Sequence, residues 1–389
     1  MESKTRFWAG PSEAVLVITL LLVVFGAITV FSASFVLAGQ LFHDSYYFIK
    51  RHFLTVFLGL MGLFITAKLG YRRVIALVPV LLVATVALLV AVHFLGEDAN
   101  GARRWIRIFI KFQPSELAKL AVILLSAAYL GTKMDRSQPI SLFSLPVYIN
   151  LALSFIVLRQ PDMGTAAVMM GLCLTLYLIA GIPRQEFFLL SLGGSAVIVY
   201  LIFAVGYRAE RVLAWMDPWQ YPLTSGYQVV QSLLAIGSGG FWGTGLGRGG
   251  SKFYYLPEAH TDFAFAVLCQ EMGFIGAAVV LVMLAAFTWY AVKIAMNASD
   301  SVGMLLASGV IILVLGQAVG NIAMVTGLFP VTGIPLPFIS YGGTSLVVNL
   351  TAVGILISIG RCKPVDRVPL PDATKESGER KHLTLVPRR

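Results

Sequence analysis

The sequence predicts an all-α integral membrane protein of about ten transmembrane helices, with a long extracytoplasmic loop between helices 7 and 8. Of its 389 residues, 58% are hydrophobic and only 12% are charged, which is too little polar surface to cover a soluble globule of this size. Several apolar runs reach the roughly 20 residues that a spanning helix needs. Helices are expected because every backbone polar group must be hydrogen-bonded inside the bilayer.

Ten apolar runs are candidate spans. They are residues 14–37, 53–69, 74–95, 115–131, 142–158, 164–181, 186–206, 263–294, 304–328 and 342–360. The first run lacks a small-residue cleavage site, so we interpret it as a retained helix rather than a signal peptide. The sequence has no internal repeat, which weakens the alternative of a transporter built from inverted repeats.

The chain divides into a membrane domain, residues 1–360, and a basic tail, residues 361–389, which is predicted to be disordered and cytoplasmic. The tail ends in LVPR before the last Arg, so a tag remnant is an alternative for this end. The long loop, about residues 207–262, contains YQVVQSLLAI, whose apolar spacing predicts a helix in the membrane interface. The glycine-rich stretch 239–250 resembles a phosphate loop in glycine content alone, which does not predict nucleotide binding.

Positive charge predicts the orientation of the helices. Basic residues in the connections 68–73 and 133–136 and in the tail lie on the side of both termini, which the positive-inside rule makes cytoplasmic. The net charge of +10 indicates contact with membrane lipid, and no aromatic-rich basic domain indicates nucleic acid. Six basic residues fall on the opposite side, where an anionic ligand would explain them: Lys50, Arg51, Arg103, Arg104, Arg107 and Lys111.

Glu258, His260 and Asp262 lie where the long loop enters the eighth predicted span. Asp262 or Thr261 could simply cap that helix. A carboxylate at a boundary between water and lipid could instead act as a general base or bind a divalent cation. The sequence does not separate these roles.

Glu116 and Lys119 lie near the start of the fourth predicted span, three residues apart and therefore on one face of the helix. Charged residues at this depth are costly unless they pair or face a hydrated cavity, so they indicate a functional site, with a structural ion pair as the alternative. Gln113 and Ser115 precede them and are further candidates for the cavity.

Several other polar residues are candidates for the same cavity. Asp162 follows a proline at a helix start, where a cap is the simpler interpretation. The stretch 329–345 contains three prolines and is too apolar for an open loop, so it is predicted to be a re-entrant element that lines the site and presents Ser340 and Tyr341. Lys50 and Arg51 suit either phosphate binding or anchoring at the interface, and Lys252 is a further basic candidate.

Six segments in series resemble the SEDS family (shape, elongation, division and sporulation), the FtsW and RodA type of membrane protein. They are Arg103–Ile106, QPSELAKL, RQPDMGTA, GYQVVQSLLAIGSGG, GLGRGGSKFYYLPEAHTDFAFAV and PVTGIPLPFISYGGTSL. The resemblance runs in order from about Phe31 to Gly360. Met216–Trp219 and Lys252 are closer to the division (FtsW) branch, although a sporulation member would look similar. Gln270 and His52 depart from the family pattern, so the resemblance assigns them no role.

The resemblance implies a ten-helix fold and a peptidoglycan glycosyltransferase that polymerises lipid II at the outer face of the bacterial cytoplasmic (inner) membrane, in septal wall synthesis during cell division. It implies that Asp262 is the essential catalytic carboxylate and that Glu116 and Lys119 are a functionally important pair. It also implies partners, namely a class B penicillin-binding protein, which is a transpeptidase, and other division proteins.

The residues suit this chemistry, because transfer from a polyprenyl pyrophosphate needs a base, cations and a groove open to lipid. We expect Asp262 to activate the 4-hydroxyl of an acceptor sugar for an inverting attack on the anomeric carbon of the other chain. The cations that would offset the leaving group are Lys50, Arg51, Arg103, Arg104 and Lys119. No cofactor is required by the sequence, and Mg²⁺ or Mn²⁺ is compatible with it. Two alternatives stay open: a lipid II flippase and a non-catalytic scaffold for division proteins.

Overall fold

The computed structural model describes residues 10–99, 102–107, 111–203, 206–250 and 256–362, which are mostly helical. The first half contains α1 (Pro11–Phe42), α2 (Tyr47–Leu69), α3 (Tyr71–Ala76), α4 (Val78–Leu95), α5 (Pro114–Asp135), α6 (Leu145–Arg159), α7 (Met163–Ile179) and α8 (Arg184–Phe203). The second half contains α9 (Gly206–Met216), a 3₁₀ helix (Pro218–Gln220), α10 (Tyr227–Gly239), α11 (Ala264–Met296), α12 (Ser301–Val325) and α13 (Gly343–Arg361). Lys252 and the predicted tail from residue 363 lie outside the described residues.

Each predicted span coincides with a helix. Among the described residues, seven helices are long and apolar enough to cross a membrane, namely α1, α2, α4, α5, α11, α12 and α13. Helices α6 and α7 are apolar but have only 15 and 17 residues, which is short of the usual span. The integral membrane fold is confirmed, and the number of ten spans stays a prediction.

A small sheet lies between α4 and α5, although the sequence predicted an all-α protein. Its strands are β1 (Glu97–Ala99), β2 (Ala102–Arg107) and β3 (Lys111–Phe112), and both pairs are antiparallel. Successive side chains of a strand point to opposite faces. The sheet therefore separates neighbouring basic side chains, which the sequence treated as one cluster.

The two ends of the described chain lie at one face of the helix bundle. A Cβ atom added at Gly360 near the end of α13 would clash with Ser12 at the start of α1. At the same face, the hydroxyl of Tyr71 donates a hydrogen bond to Oδ2 of Asp300 over 2.8 Å. The start of α13 lies at the other end of the bundle, where Oγ1 of Thr344 accepts a hydrogen bond from the backbone N–H of Gln113 over 2.9 Å.

Close packing of small residues holds the central helices together, as expected where lipid removes much of the hydrophobic driving force between helices. Helix α2 packs along α13, and α12 packs along α5. Gly354 of α13 lies so close to the backbone of Leu63 of α2 that an added Cβ atom would clash with it. Oγ1 of Thr66 also donates a hydrogen bond to the carbonyl of Thr351 over 3.0 Å.

Helix α11 is broken at Gly273, whose φ of 66° lies in the left-handed region. The break exposes backbone carbonyls, and the glycine-rich stretch satisfies them. The N–H of Thr244 donates to the carbonyl of Gln270 over 2.9 Å, and the N–H of Gly245 donates to that of Glu271 over 3.0 Å. A side chain at Gly243 would clash with the carbonyl of Glu271. Gly239 and Gly243 therefore allow this loop to pack closely on the helix break.

Candidate functional site

Asp262 lies in a tight turn directly before α11. The N–H groups of Thr261 and Phe263 both donate hydrogen bonds to the carbonyl of Glu258, over 3.1 and 3.2 Å. Phe263 is the N-terminal capping position of α11 and makes no side-chain cap. The hydroxyl of Thr261 donates instead to the carboxylate of Glu258 over 2.8 Å. The alternative that Asp262 or Thr261 caps this helix is therefore wrong.

The carboxyl group of Asp262 is held in a weakly polar environment. Burial raises the pKa of Asp262, and with the negative charges of Glu258 and Asp162, and against the opposing effect of the Arg104 guanidinium, the pKa reaches about 7. A carboxyl group with a pKa near the working pH can both accept and release a proton. This is the property that a general base in sugar transfer needs.

A polar cleft lies beside Asp262. Its lining residues come from β2, the start of α5, α7 and the connection between α12 and α13, and they are Arg104, Trp105, Gln113, Glu116, Lys119, Asp162, Thr165, Val168, Gly333, Ile334 and Pro335. A Cβ atom added at Gly333 would lie 3.5 Å from Oδ2 of Asp262. The carboxylate therefore borders the wall of the cleft formed by residues 333–335.

Asp162 joins two sides of this cleft. Its Oδ1 atom accepts a hydrogen bond from the N–H of Thr165 over 3.2 Å and so caps α7. Its Oδ2 atom accepts hydrogen bonds from Nε2 of Gln113 over 2.9 Å and from the hydroxyl of Ser115 over 3.3 Å. Asp162 is thus both the predicted cap and a residue of the cavity.

Glu116 and Lys119 form the predicted pair on α5. Nζ of Lys119 lies 2.7 Å from Oε1 of Glu116, and the exposed fractions of the two side chains are only 3% and 6%. Both residues line the cleft. The pair therefore places one compensated positive charge beside the cavity, within the helical region.

Arg104 and Arg103 are neighbours on β2 with different surroundings. Arg104 lines the cleft, and its guanidinium donates hydrogen bonds to the carbonyls of Gln160 and Pro161, the first over 3.1 Å from Nε. An arginine has five N–H donors, so these two bonds fix the group without exhausting it. Arg103 is exposed and does not line the cleft.

Two other predicted cations also lie away from the cleft. Nζ of Lys50 lies 2.8 Å from Oδ2 of Asp44, and both side chains are exposed. The guanidinium of Arg51 lies over the ring of Tyr47 at 4.3 Å. These contacts are typical of anchoring at an interface. Neither residue lines the cleft, and their part in offsetting the leaving group stays a prediction.

Three further candidates do not line the cleft. His260 and Tyr341 contact each other at the turn before α11, and Ser340 bonds within the connection between α12 and α13. The N–H of Tyr341 donates to the carbonyl of His260 over 2.9 Å, and the ring of His260 lies 4.4 Å from that of Phe48. Burial lowers the pKa of His260, and the charge of Lys111 lowers it further against the effect of Glu258, so the ring is neutral at pH 7. The hydroxyl of Ser340 accepts a hydrogen bond from the N–H of Leu336 over 3.0 Å.

Sequence reasoning missed Asn321, whose amide donates hydrogen bonds to the carbonyls of both Asp262 and Ile334. The one available signal was a polar residue inside the apolar run AVGNIAMV. It also missed Gly333 as an individual residue of the cleft, although the stretch 329–345 was predicted to line the site. His52 is fully buried, and neither of its ring nitrogens has a hydrogen-bond partner among the described residues.

A divalent cation would need several ligands close together. Within the described parts of the chain, no group of three or more His, Cys, Asp and Glu side chains could hold a metal ion. The sequence leaves the metal unassigned, with Asp262 as a candidate contact. The metal stays a prediction, and no catalytic step is derived through it.

Comparison with known proteins agrees with this architecture. The family model described as "Cell cycle protein", which covers FtsW, RodA and SpoVE, matches residues 13–364. Stage V sporulation protein E of Bacillus subtilis is 40% identical over 356 residues, which cover 90% of this chain and 97% of the relative. A probable peptidoglycan glycosyltransferase FtsW of Geobacter sp. (strain M18) is 41% identical over 354 residues, which cover 90% and 96%.

Two solved structures share the fold. A chain of the structure described as "Structural coordination of polymerization and crosslinking by a peptidoglycan synthase complex" has a TM-score of 0.73 and 28% identity, with 89% of this chain and 96% of that chain covered. The rod shape determining protein RodA of Thermus thermophilus has a TM-score of 0.66 and 26% identity, with 89% and 95% covered.

The protein is a polytopic helical bundle with a half-buried carboxylate beside a polar cleft. The cleft lies at the end of the bundle opposite the start of α1 and the end of α13. These features define a membrane protein of the SEDS type. The family match over most of the chain, together with relatives near 40% identity, makes the assignment specific. The chain belongs to the FtsW/RodA/SpoVE family.

Proposed function

We propose that this protein is a peptidoglycan glycosyltransferase that polymerises lipid II into glycan strands at the outer face of the bacterial cytoplasmic membrane. The names of several relatives agree with the predicted class of enzyme. The observation that carries the proposal is the Asp262 carboxyl group, whose pKa is raised to about 7 at the edge of a cleft that also holds Arg104 and Lys119.

The chemistry follows from this arrangement. Asp262 takes the proton of the acceptor 4-hydroxyl as that oxygen attacks the anomeric carbon of the second lipid-linked sugar. The bond between that carbon and the pyrophosphate oxygen breaks with inversion, and the pyrophosphate leaves with the electron pair. The proton remains on Asp262 until it is released to water, which a pKa near 7 permits at neutral pH.

The charge that develops on the leaving pyrophosphate is offset by fixed cations. Arg104 is held by two backbone carbonyls and Lys119 by Glu116, so neither side chain has to reorganise during the reaction. Preorganised charges of this kind stabilise a transition state more effectively than mobile ones. Lys119 already has a carboxylate partner in the cleft, Glu116. Arg104 bonds backbone carbonyls there and is therefore the stronger candidate to offset the leaving group.

The cellular setting is part of the proposal. The family and its FtsW relatives support a role in division, with both termini in the cytoplasm by the positive-inside rule. One structural relative belongs to a complex that coordinates polymerization with crosslinking. This supports a class B penicillin-binding protein, a transpeptidase, as the partner of this chain.

The test is polymerisation of purified lipid II by the reconstituted protein, alone and with its transpeptidase partner. The parental protein should make glycan, and Asp262→Asn should lose about 10²–10⁴-fold in rate while unfolding at the parental temperature. Parental rates in Asp262→Asn would overturn the catalytic assignment. If the protein moved fluorescent lipid II between leaflets without making polymer, it would be a flippase. If substitutions on helix faces impaired division and substitutions in the site did not, it would be a scaffold.

A further inference from the structure

Asn321 makes an unusual connection at the cleft. It lies on α12 with none of its surface exposed. Its single side-chain NH₂ group donates two hydrogen bonds, each of 2.7 Å, to the carbonyls of Asp262 and Ile334. These carbonyls belong to segments that are 72 residues apart, the turn before α11 and the connection between α12 and α13.

The orientation of this amide is determined by its partners. Both are carbonyl oxygens, which accept hydrogen bonds and cannot donate them, so the NH₂ group must face them. The Oδ1 atom of Asn321 is buried without a partner among the described residues. Leaving a buried acceptor unpaired costs stability. Asn321 therefore serves the two carbonyls at some cost to the helix that carries it.

The two bonded segments meet at the edge of the cleft. Ile334 lies between Gly333 and Pro335, and all three residues line the cleft. Gly333 approaches the carboxylate of Asp262 closely, since an added Cβ atom would lie 3.5 Å from Oδ2. A second connection between the same segments runs from the N–H of Tyr341 to the carbonyl of His260, and neither of these residues lines the cleft.

We propose that Asn321 is a positioning residue that holds the turn of Asp262 against the Gly333–Pro335 wall and so fixes the carboxylate at the edge of the cleft. The inference rests on the proposed function. Asn321 touches neither substrate nor leaving group in this account and acts through the backbone of the turn. Displacing a base by about 1 Å can cost on the order of 10²-fold in rate, so loss of this connection should appear in kcat.

The experiment replaces the amide by an apolar side chain of similar size. Asn321→Leu removes both hydrogen bonds, and Asn321→Asp keeps the shape but can donate only one hydrogen bond when protonated. Asn349→Leu is the matched control, because Asn349 is also buried, on the neighbouring α13. Among the described residues, its side chain bonds the side chains of Gln317 and Ser345. All variants are purified, and their unfolding temperatures, kcat and KM for lipid II are measured.

We expect Asn321→Leu to lower kcat about 10²-fold with KM changed by less than about threefold. The kcat of Asn321→Asp should fall between those of Asn321→Leu and the parental protein. Asn349→Leu should keep kcat within about threefold of the parental value. Equal losses of kcat in Asn321→Leu and Asn349→Leu would overturn the inference, because a general loss of packing would then explain both.

Hydrogen–deuterium exchange separates this inference from the proposed function. Asn321→Leu should speed exchange in peptides covering residues 256–263 and 330–336, and Asn349→Leu should not. Unchanged exchange in both peptides would overturn the positioning role even in an active enzyme. If the parental protein made no polymer, the proposed function would fail. Faster exchange in Asn321→Leu would still establish that Asn321 connects the two segments, and unchanged exchange would refute that connection.

Discussion

Glu116 and Lys119 of α5 form an ion pair of 2.7 Å in which both side chains are almost completely buried. An isolated charge in such surroundings is strongly unfavourable, and the two residues therefore depend on each other. The pair also lines the cleft beside Asp262 and Arg104. Its geometry links the stability of the bundle to the electrostatics of the site.

Breaking this pair should destabilise the protein. Lys119→Met leaves a buried carboxylate, and we expect a loss of about 3–5 kcal/mol, measured as a lower unfolding temperature in detergent. The double variant Glu116→Gln/Lys119→Met removes both charges and should recover much of that loss. Lys133→Met, which removes the more exposed Lys of the same helix, is the control. A Lys119→Met protein as stable as the parental protein would show that Glu116 does not depend on Lys119.

The rate of polymerisation should depend on pH through Asp262. The base is active when ionised, and burial with nearby negative charge raises its pKa to about 7. The rate should therefore be nearly constant above pH 8 and fall about tenfold per unit well below pH 7. The measurement is kcat/KM between pH 5.5 and 8.5, and a profile that stays flat down to pH 5.5 would exclude Asp262 as the titrating base.

Two variants should move this profile in opposite directions. Arg104→Gln removes a positive charge that favours the ionised form, so the pKa of Asp262 and the acid limb should move to higher pH. Glu258→Gln removes a negative charge that disfavours it, so the limb should move to lower pH. Shifts in the same direction for both variants would mean that these charges do not act on the catalytic group.

Gly333→Ala should impair catalysis beyond its effect on the backbone. Gly333 has a φ of 72°, which costs about 1 kcal/mol for a residue with a side chain, and the new methyl group would lie 3.5 Å from Oδ2 of Asp262. Gly327→Ala is the control, since its φ of 75° is similar and its neighbours are aliphatic side chains. We expect similar losses of thermal stability and a lower kcat for Gly333→Ala alone. Equal kcat in the two variants would show that the space beside Asp262 is not used.

Gly243→Ala should destabilise the break in α11. The residue has a φ of 81°, and a side chain would clash with the backbone of Glu271. Gly240 has a φ of 54° and no atom within 4 Å of an added Cβ atom, so Gly240→Ala carries the strain without the clash. The unfolding temperature should fall clearly further for Gly243→Ala than for Gly240→Ala. Equal shifts would mean that the loop can move away from the helix at little cost.

Much of the fold follows from local properties of the sequence. Apolar runs of helical length predict the membrane helices because lipid offers no partner for an unpaired backbone group. The spacing of Glu116 and Lys119 predicts their contact because three residues bring side chains to the same face of a helix. The proline-containing stretch 329–345 is predicted beside the site because irregular apolar backbone needs protein around it.

Other features depend on contacts between distant segments. Adjacent Arg103 and Arg104 look equivalent in sequence, yet β2 directs only Arg104 to the cleft. Gly239 and Gly243 pack against a helix break that no local pattern predicts. The raised pKa of Asp262 depends on burial by elements that lie far from it along the chain.

The sequence by itself determined the membrane class, the helices, the family and the carboxylate most suited to act as a base, because hydrophobic length, helical periodicity and motif order are local properties. Only the tertiary structure decided which cations face that carboxylate, how strongly its proton is held and which buried amide fixes its backbone. Electrostatic and hydrogen-bond energies depend on separations in space, and the contacts of Asn321 with Asp262 and Ile334 exist only when the helices are packed.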